Sequence, residues 1–566
     1  MNKSRRGFIA LIILALVVAA LPAPLSSQGA PQQTSITLLG TTDLHGNLFP
    51  VDYYSNRPAN RGLAKIATLI KQVRAEEKNV LLLDSGDTIQ GTPLAYHFAR
   101  IDTSKPNPTI AAMNALRYDA MACGNHEFNF GLPYLLKAKR EAKFPMLGAN
   151  IAWEGPRTAT EYFRPYIIKV IGGVKVGIVG LVTPGIPRWE IPENYKGYTF
   201  EPLVAAAQRV IPEIRSRADV VVVIAHSGLE RDATTNQPQR QEIAGENAIY
   251  ALAERVPGID VILFGHSHQE LAEKRIKNVL LAQAKNWGQS LARADIKLQR
   301  VGGAWKIMEK KSTVIPVTDA VAPDPEIIAL AQPYHDATQA ALDAPIAESA
   351  VAMDGSRARY EDHPFVDLAH KVQMEYGKAD ISFATLFLTA AKIPAEKVSV
   401  RQVASLYIYE NTLYTIELTG AEVLAAMEHS ASLFTSWPLK EGERVRLPGY
   451  SADTTEGLEY EIDLTQPAGS RVKNVRYKGK PLVPTQKFRV AINNYRYTGG
   501  GNYDVFKGKP ILYSSPQEVR ELMIEYVRRT GVIPAEANHN WRILQKEAVE
   551  AMVAEATRPR DPRQAF

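Results

Sequence analysis

The 566-residue chain contains a single cysteine, Cys123. No intrachain disulfide can form, so a protein of this size must rely on its core rather than on covalent staples. Beyond the N-terminus there is no dense block of lysine and arginine, and a formal charge of +6 is modest for the length. Polymeric nucleic acid is therefore not an implied partner, although a mildly basic balance helps to attract small anions. After Leu21 no apolar run approaches the ~20 residues that a membrane helix needs, so the processed chain has no stable membrane span. No internal repeat relates the two halves, and nothing in the composition sets an oligomeric state. What is present, 45% apolar and 22% charged residues, is usual for a globular protein. At this length two domains are the default.

The first thirty residues read as a targeting segment. Lys3, Arg5 and Arg6 precede an apolar run from Phe8 to Leu21, which Pro22 and Pro24 break. A charged head and a run of that length form a secretion signal over 1–30, short for a membrane anchor. Ser4-Arg5-Arg6-Gly7-Phe8 also resembles a twin-arginine export signal. An ordinary secretion signal is the alternative reading, and a retained signal-anchor a third. No cysteine follows the apolar run, which argues against a lipoprotein. Cleavage is expected between Ala23 and Ala30, and the protein is expected to be exported, to a periplasm or to the exterior.

From residue 35 to residue 315, strand-like runs alternate with amphipathic ones. Ile36–Leu39, Val80–Leu83, Val220–Ile224 and Val261–Phe264 have the length and composition of buried strands. Tyr166–Ile171, Val174–Val182 and Val279–Gln283 read likewise. Arg61 to Val73 places Leu63, Ile66, Ala67, Ile70 and Val73 on one helical face, and 132–143 and 202–217 also look helical. The alternation predicts an α/β domain over 35–315, with helices covering a β-sheet core. Prolines at 316, 323, 325, 333 and 345 bracket an interdomain connector, 316–345. Its helix, Glu326 to Leu342, is expected to be interrupted near Pro333. A smaller α+β domain should occupy 346–545, with strands at Leu413–Leu418, Leu458–Leu464 and Phe488–Ile492. Residues 546–566 read as a charged, loose tail.

Five short polar clusters carry the chemistry. They are Asp43-Leu44-His45, Asp84-Ser85-Gly86-Asp87, Cys123-Gly124-Asn125-His126-Glu127-Phe128-Asn129, His226-Ser227-Gly228 and Gly265-His266-Ser267-His268. Each follows a strand-like run, at the edge where open α/β sheets build their sites. They hold five of the eleven histidines. An isolated Asp-x-His is more often a capped turn, and Gly-Asp alone is ordinary turn chemistry. Five such clusters in succession read as a metal site instead. A phosphate-ester hydrolase must activate water and neutralise charge on the phosphoryl oxygens, and two divalent cations can do both. Asp87 is the natural bridging carboxylate. Asp43, His45 and His268 would complete one metal, and Asn125, His226 and His266 the other. His126, free beside Asn125, could stabilise the transferring phosphoryl group or protonate the leaving oxygen. Mixed nitrogen and oxygen ligands admit Zn, Mn, Fe or Co. Cys123, at a strand end, reads as a small buried filler rather than a ligand.

The order Asp-x-His, Gly-Asp, Gly-Asn-His-Glu, His, Gly-His-x-His resembles the calcineurin-like metallophosphoesterases. From about Ile36 to Leu544 the chain is similar to their exported nucleotidase branch, which adds a C-terminal nucleotide-binding domain. The resemblance implies that Asp43, His45, Asp87, Asn125, His226, His266 and His268 are metal ligands and His126 the catalytic histidine. Asn493-Asn494-Tyr495-Arg496-Tyr497-Thr498-Gly499-Gly500-Gly501 resembles the loop from which 5′-nucleotidases stack a ring on the base, and Pro448-Gly449-Tyr450 the segment that supplies a second ring. Tyr450 and Tyr495 would then clamp the base. Two positions depart from the 5′ branch. Asn129 stands where that branch has an aspartate; an amide can orient His126 but lends it no charge. Ala384 to Ala391 lacks the arginine that contacts phosphate there. With Tyr407-Ile408-Tyr409-Glu410-Asn411-Thr412-Leu413, which offers Asn411 as a candidate substrate-binding residue, these departures resemble the 2′,3′-cyclic-nucleotide 2′-phosphodiesterase/3′-nucleotidase branch. The implied function is hydrolysis of 2′,3′-cyclic and 3′-nucleotides by metal-activated hydroxide. A 5′-nucleotidase or nucleotide-sugar hydrolase is one alternative, and a nucleotide-binding protein with a vestigial site another.

Overall fold

The computed structural model describes residues 32–157, 159–239, 241, 244–409 and 411–558. The expected secretion signal, Glu410 and residues 559–566 lie outside the described residues. Two six-stranded sheets form the N-terminal part. The first runs Ala304–Pro316, Ser290–Val301, Gln33–Thr41, Val80–Asp84, Ala120–Ala122, Met146–Leu147. The second runs Leu271–Ile276, Val279–Gln283, Val261–Phe264, Val220–His226, Val174–Val182, Tyr166–Ile171. Gln33–Thr41, Val80–Asp84 and Ala120–Ala122 are mutually parallel, as are Val174–Val182, Val220–His226 and Val261–Phe264. Their C-terminal ends therefore gather their loops on one rim.

The sheets pack face to face. Ile36, Leu38, Leu81 and Leu83 meet Val176, Ile178, Val220 and Val222, all buried. Helices Leu63–Glu76 and Leu132–Glu141 cover the outer face of one sheet, and Leu203–Arg215 and Ile249–Arg255 that of the other. The sequence suggested a sheet core covered by helices; the core is a pair of sheets between two helical layers. A strand buried on both faces has the same composition whether its second face meets a helix or another sheet.

Two expectations need correction. Pro325–Asp343 is one uninterrupted helix that passes through Pro333. Pro333 is exposed, while Ile327, Ala331 and Leu342 are buried in the N-terminal core, and that packing outweighs one missing backbone hydrogen bond. The supposed loose tail begins instead as a helix, Lys546–Thr557, whose Ala548, Val549 and Met552 are buried in the C-terminal core. Its charged residues had masked an apolar stripe at helical spacing.

The C-terminal part holds a five-stranded sheet, Thr454–Glu456, Ile381–Ala384, Lys487–Asn493, Thr412–Thr419, Ile511–Glu518, flanked by Pro364–Gly377, Gly420–Ser432 and Val519–Thr530. It meets the N-terminal part through specific bonds. The Tyr54 hydroxyl donates to the Ile408 carbonyl (3.2 Å), Arg401 donates to the Tyr53 carbonyl, and the Asn494 amide donates to the Trp189 carbonyl (3.1 Å). Among the described residues no helix is long and apolar enough to cross a membrane.

Candidate active site

The five clusters meet on the common rim. Loops 42–46 and 86–88 are zipped together by backbone bonds, Asp43 N–H to Gly86 O, His45 N–H to Asp87 O and Gly46 N–H to Thr88 O, at 2.8–2.9 Å. Close approach explains two motif glycines. A Cβ on Gly265 would lie 1.8 Å from Thr42 Oγ1 and 2.6 Å from Asp43 Oδ2, and one on Gly124 would lie 2.2 Å from Asp87 Oδ1. Asp43, His45, Asp87, His266 and His268 all hold left-handed backbone, with φ between 46° and 75°. Non-glycine residues adopt that region at a cost, and such strain concentrates where geometry serves a site.

Two groups of side chains converge, Asp43, His45 and His268 in one and Asp87, His226 and His266 in the other, with their candidate ligand atoms within 4.8 Å of one another in each. The sequence groups the same histidines, with Asp87 as a bridge; here Asp87 falls with His226 and His266. The chemistry of the donor set fits cations. His226 Nδ1 faces the Ser85 carbonyl (2.9 Å), so that nitrogen carries a proton and Nε2, 2.8 Å from Asp87 Oδ2, is the one turned to the centre. Likewise His45 Nδ1 faces the Gln90 carbonyl (3.1 Å), and its Nε2 meets His268 Nε2 at 3.1 Å. Ring nitrogens and carboxylates gathered this closely are held together by positive charge, supplied by protons or by cations. Asn125 Oδ1 is buried without a hydrogen-bond partner among the described residues, as an amide oxygen that serves a cation would be.

The protonation tendencies express the same demand. Burial pulls His226 down, but the Asp87 carboxylate outweighs it and lifts the ring to about 10. Burial pushes Asp87 up, yet His226 and His126 hold it well below the usual carboxylate range. His45 falls to about 4 through burial. Cys123 is fully buried and free, and burial raises its thiol far above the ordinary range, as suits a filler.

Three carboxylates that sequence reasoning did not single out hold this arrangement. Glu127, fully buried, accepts four backbone N–H groups, those of Gly124 (2.6 Å), Asp87 (2.9 Å), Thr88 (2.6 Å) and Ile89 (3.2 Å). It thus ties two candidate-ligand loops together. Glu246 faces His266 Nε2 at 3.0 Å, leaving Nδ1 for the centre. Glu190 receives a hydrogen bond from the Asn129 amide, whose Oδ1 lies 2.5 Å from His126 Nδ1. His126 itself is 40% exposed, against 2% for Asp87, with Nε2 4.0 Å from Asp87 Oδ2. Glu127 sat inside a quoted motif, whereas Glu190 and Glu246 lie in loops that only the tertiary fold brings near.

In the C-terminal part, Arg496 is 1% exposed and paired with Asp453 (2.8 and 2.9 Å). Its guanidinium also donates to the Tyr450 carbonyl (2.7 Å) and lies 5.5 Å from the Tyr495 ring centre, so both candidate clamp residues hang on one arginine. Tyr450 is 45% exposed and its ring stands 6.2 Å from Tyr409 and 6.5 Å from Phe387. Asn411 faces the buried Tyr407 hydroxyl at 3.5 Å, which Asn493 also reaches. Behind the arginine-free segment, Arg359 donates to the Leu386 and Phe387 carbonyls (2.9 and 2.6 Å), so its donors serve the backbone.

Comparison with known proteins agrees with this geometry. The calcineurin-like phosphoesterase family matches residues 36–270, and the 5′-nucleotidase C-terminal domain matches residues 345–508. A 2′,3′-cyclic-nucleotide 2′-phosphodiesterase/3′-nucleotidase of Haemophilus influenzae is 31% identical, over 96% of this chain and 92% of that protein. A trifunctional nucleotide phosphoesterase of Bacillus subtilis is 31% identical over 94% of this chain, which spans only 40% of that protein's length. A solved 5′-nucleotidase precursor from Thermus thermophilus superposes with a TM-score of 0.63 at 27% identity, covering 90% of this chain and all of that one. With the rim of histidines and carboxylates and the second domain both in place, the chain belongs to the calcineurin-like metallophosphoesterases, in the branch that carries a 5′-nucleotidase C-terminal domain.

Proposed function

We propose that the protein is an exported nucleotide phosphohydrolase whose preferred substrates are 2′,3′-cyclic and 3′-nucleotides, acting with two divalent cations. The observation that carries this reading is the convergence of two His/Asp groups, Asp43, His45 and His268 and Asp87, His226 and His266, with the Asn125 oxygen buried and without a hydrogen-bond partner among the described residues. Asp43, His45 and His268 would hold one cation, Asn125, His226 and His266 the other, and Asp87 both. When bound, the pair supplies an activated water and neutralises charge on the phosphoryl oxygens. His126, exposed at the edge of the cleft, donates a proton to the departing sugar oxygen, and Asn129 orients it. Tyr450 and Tyr495 stack on the base, and Asn411 supports that pocket through Tyr407. The domains are 35–315, the connector 316–345, and a C-terminal domain from 346 that includes the helix Lys546–Thr557.

The preference for the cyclic diester over a 5′-monoester follows from charge. The segment from Ala384 to Ala391 brings no guanidinium to the cleft, and Arg359 behind it is engaged by carbonyls. A 5′-monoester dianion would use such a charge more than a cyclic diester, which carries one charge fewer. The test is a panel of 2′,3′-cyclic, 3′- and 5′-nucleotides assayed with defined metal. Higher kcat/KM for the first two classes is expected. A tenfold preference for the 5′-nucleotide, about 1.4 kcal/mol in transition-state binding, would make the protein a 5′-nucleotidase instead.

A further inference from the structure

We infer that Glu190 is a positioning residue which, through Asn129, holds the Nδ1–H of His126 and so turns Nε2, whose proton the protonated ring gives to the leaving oxygen, toward the cleft. The inference rests on the role given to His126 above. An asparagine beside a histidine is ambiguous, because its amide can turn either a donor or an acceptor toward the ring. Here the ambiguity is removed from the far side. A carboxylate can only accept, so the Asn129 Nδ2 donates to Glu190 and Oδ1 must face His126 Nδ1, 2.5 Å away. Only an Nδ1–H can meet that oxygen, and the ring's other nitrogen is thereby left facing the reacting groups. The second oxygen of Glu190 accepts from Asn194 Nδ2 at 2.7 Å, and Asn194 also donates to the Asn129 carbonyl at 3.3 Å. Glu190 follows the short helix Ile186–Trp189, and its N–H is bonded to the Ile186 carbonyl at 3.0 Å. The carboxylate missing from position 129 is therefore present one residue further out, and the relay runs His126, Asn129, Glu190.

The geometry makes an unusual demand on substitutions. Asn129→Asp installs the residue of the 5′ branch, yet it would set two carboxylates against each other. Adding Glu190→Gln supplies an amide donor to the new aspartate and rebuilds the chain of bonds with the charge moved inward. The experiment measures kcat and KM for a 3′-nucleotide, whose sugar oxygen needs a proton on leaving, and for 4-nitrophenyl phosphate, whose leaving group does not. General acid catalysis is worth ~10²–10⁴-fold, and losing the orientation should remove about tenfold of it. Glu190→Ala should thus lower kcat for the nucleotide about tenfold with KM within a factor of about two, and leave the aryl ester nearly unchanged. Asn129→Asp should be impaired in the same selective way, and Asn129→Asp/Glu190→Gln should recover most of the loss. A double variant no better than Asn129→Asp, or a Glu190→Ala that slows both substrates equally, would overturn the inference. His126→Ala separates the two readings. If it slows both substrates alike, the leaving-group role of His126 falls. If it is selective and Glu190→Ala is not, only the role of Glu190 falls. Independently of catalysis, the imidazole ¹⁵N signals of His126, identified by their loss in His126→Gln and read at a pH where the ring is neutral, should report the Nδ1-protonated tautomer, which becomes a mixture of tautomers in Glu190→Ala. Unchanged signals would refute the relay.

Discussion

Replacing Glu127 by glutamine tests how the candidate centre is held together. The two carboxylate oxygens divide four backbone donors between them, Asp87 and Gly124 on Oε2 and Thr88 and Ile89 on Oε1. Whichever way a glutamine amide turns, its nitrogen faces two of those N–H groups. Two buried donors then lose their acceptor, at ~1–3 kcal/mol each, so the cost is about 2–6 kcal/mol. In a domain of this size one kcal/mol moves the melting temperature by ~2–4 °C, so the fall should be on the order of 4–24 °C. The assay is a thermal melt followed by circular dichroism in excess chelator, which separates this loss from any loss of metal. A second measurement, metal content after dialysis with chelator omitted, should show less than the wild-type loading, because the loop from Asp87 to Ile89 has lost part of its anchor in either orientation. A variant that melts within ~2 °C of wild type in chelator and keeps full metal would show that Glu127 does not hold these loops.

Asp87→Asn should abolish turnover and lower bound metal while the circular dichroism spectrum is retained, because an amide bridges two cations poorly; near-normal activity with two metals per chain would exclude the assignment. Tyr495→Ala should raise KM for nucleotides by the ~1–3 kcal/mol that stacking on a base is worth and leave 4-nitrophenyl phosphate unaffected; equal damage to both substrates would make Tyr495 a packing residue. His370 is buried between Ser382 Oγ and Thr454 Oγ1, each 3.0 Å away, and burial lowers its pKa from 6.5 to about 3. The unfolded chain therefore takes up a proton near pH 6.5 that the folded chain refuses until about pH 3. This contribution to stability is full above pH 6.5 and falls by about 1.4 kcal/mol per pH unit below it. His370→Gln should flatten that acid limb in denaturant titrations, and an unchanged slope would count against the buried neutral imidazole.

The legible parts of this protein were those in which local pattern and chemistry coincide. Val80–Leu83 announced a strand by composition, and Asp87 announced a site by following it. All seven candidate ligands could be named because each cluster is contiguous in sequence. What pattern could not convey was pairing at long range. The interior between the two sheets is apolar on both sides, so Val176 and Val222 carry no mark that they share a core with Ile36 and Leu81 of the other sheet. Glu190 and Glu246 sit in polar loops where a glutamate is unremarkable, and only the fold brings them to His126 and His266. Pro333 misled because a breaker was weighed without the buried Ile327, Ala331 and Leu342 that override it. Lys546–Thr557 misled because charge was weighed without its apolar stripe.

The face-to-face sheets have one more consequence. Asp43, His45, Asp87 and Asn125 stand on loops of one sheet, and His226, at the end of strand Val220–His226, and His266 and His268, on a loop, belong to the other. A cation pair held by both sets would act as a clasp across the interior seam, engaging only when the halves are closed. Anything that binds the closed form alone adds its free energy to closure, ~2.7 kcal/mol when free metal stands a hundredfold above its dissociation constant. Trace-metal supply would then set two rates at once, how fast the enzyme turns over and how fast proteases find it open. In metal-poor surroundings, molecules would be lost to degradation as well as to idleness.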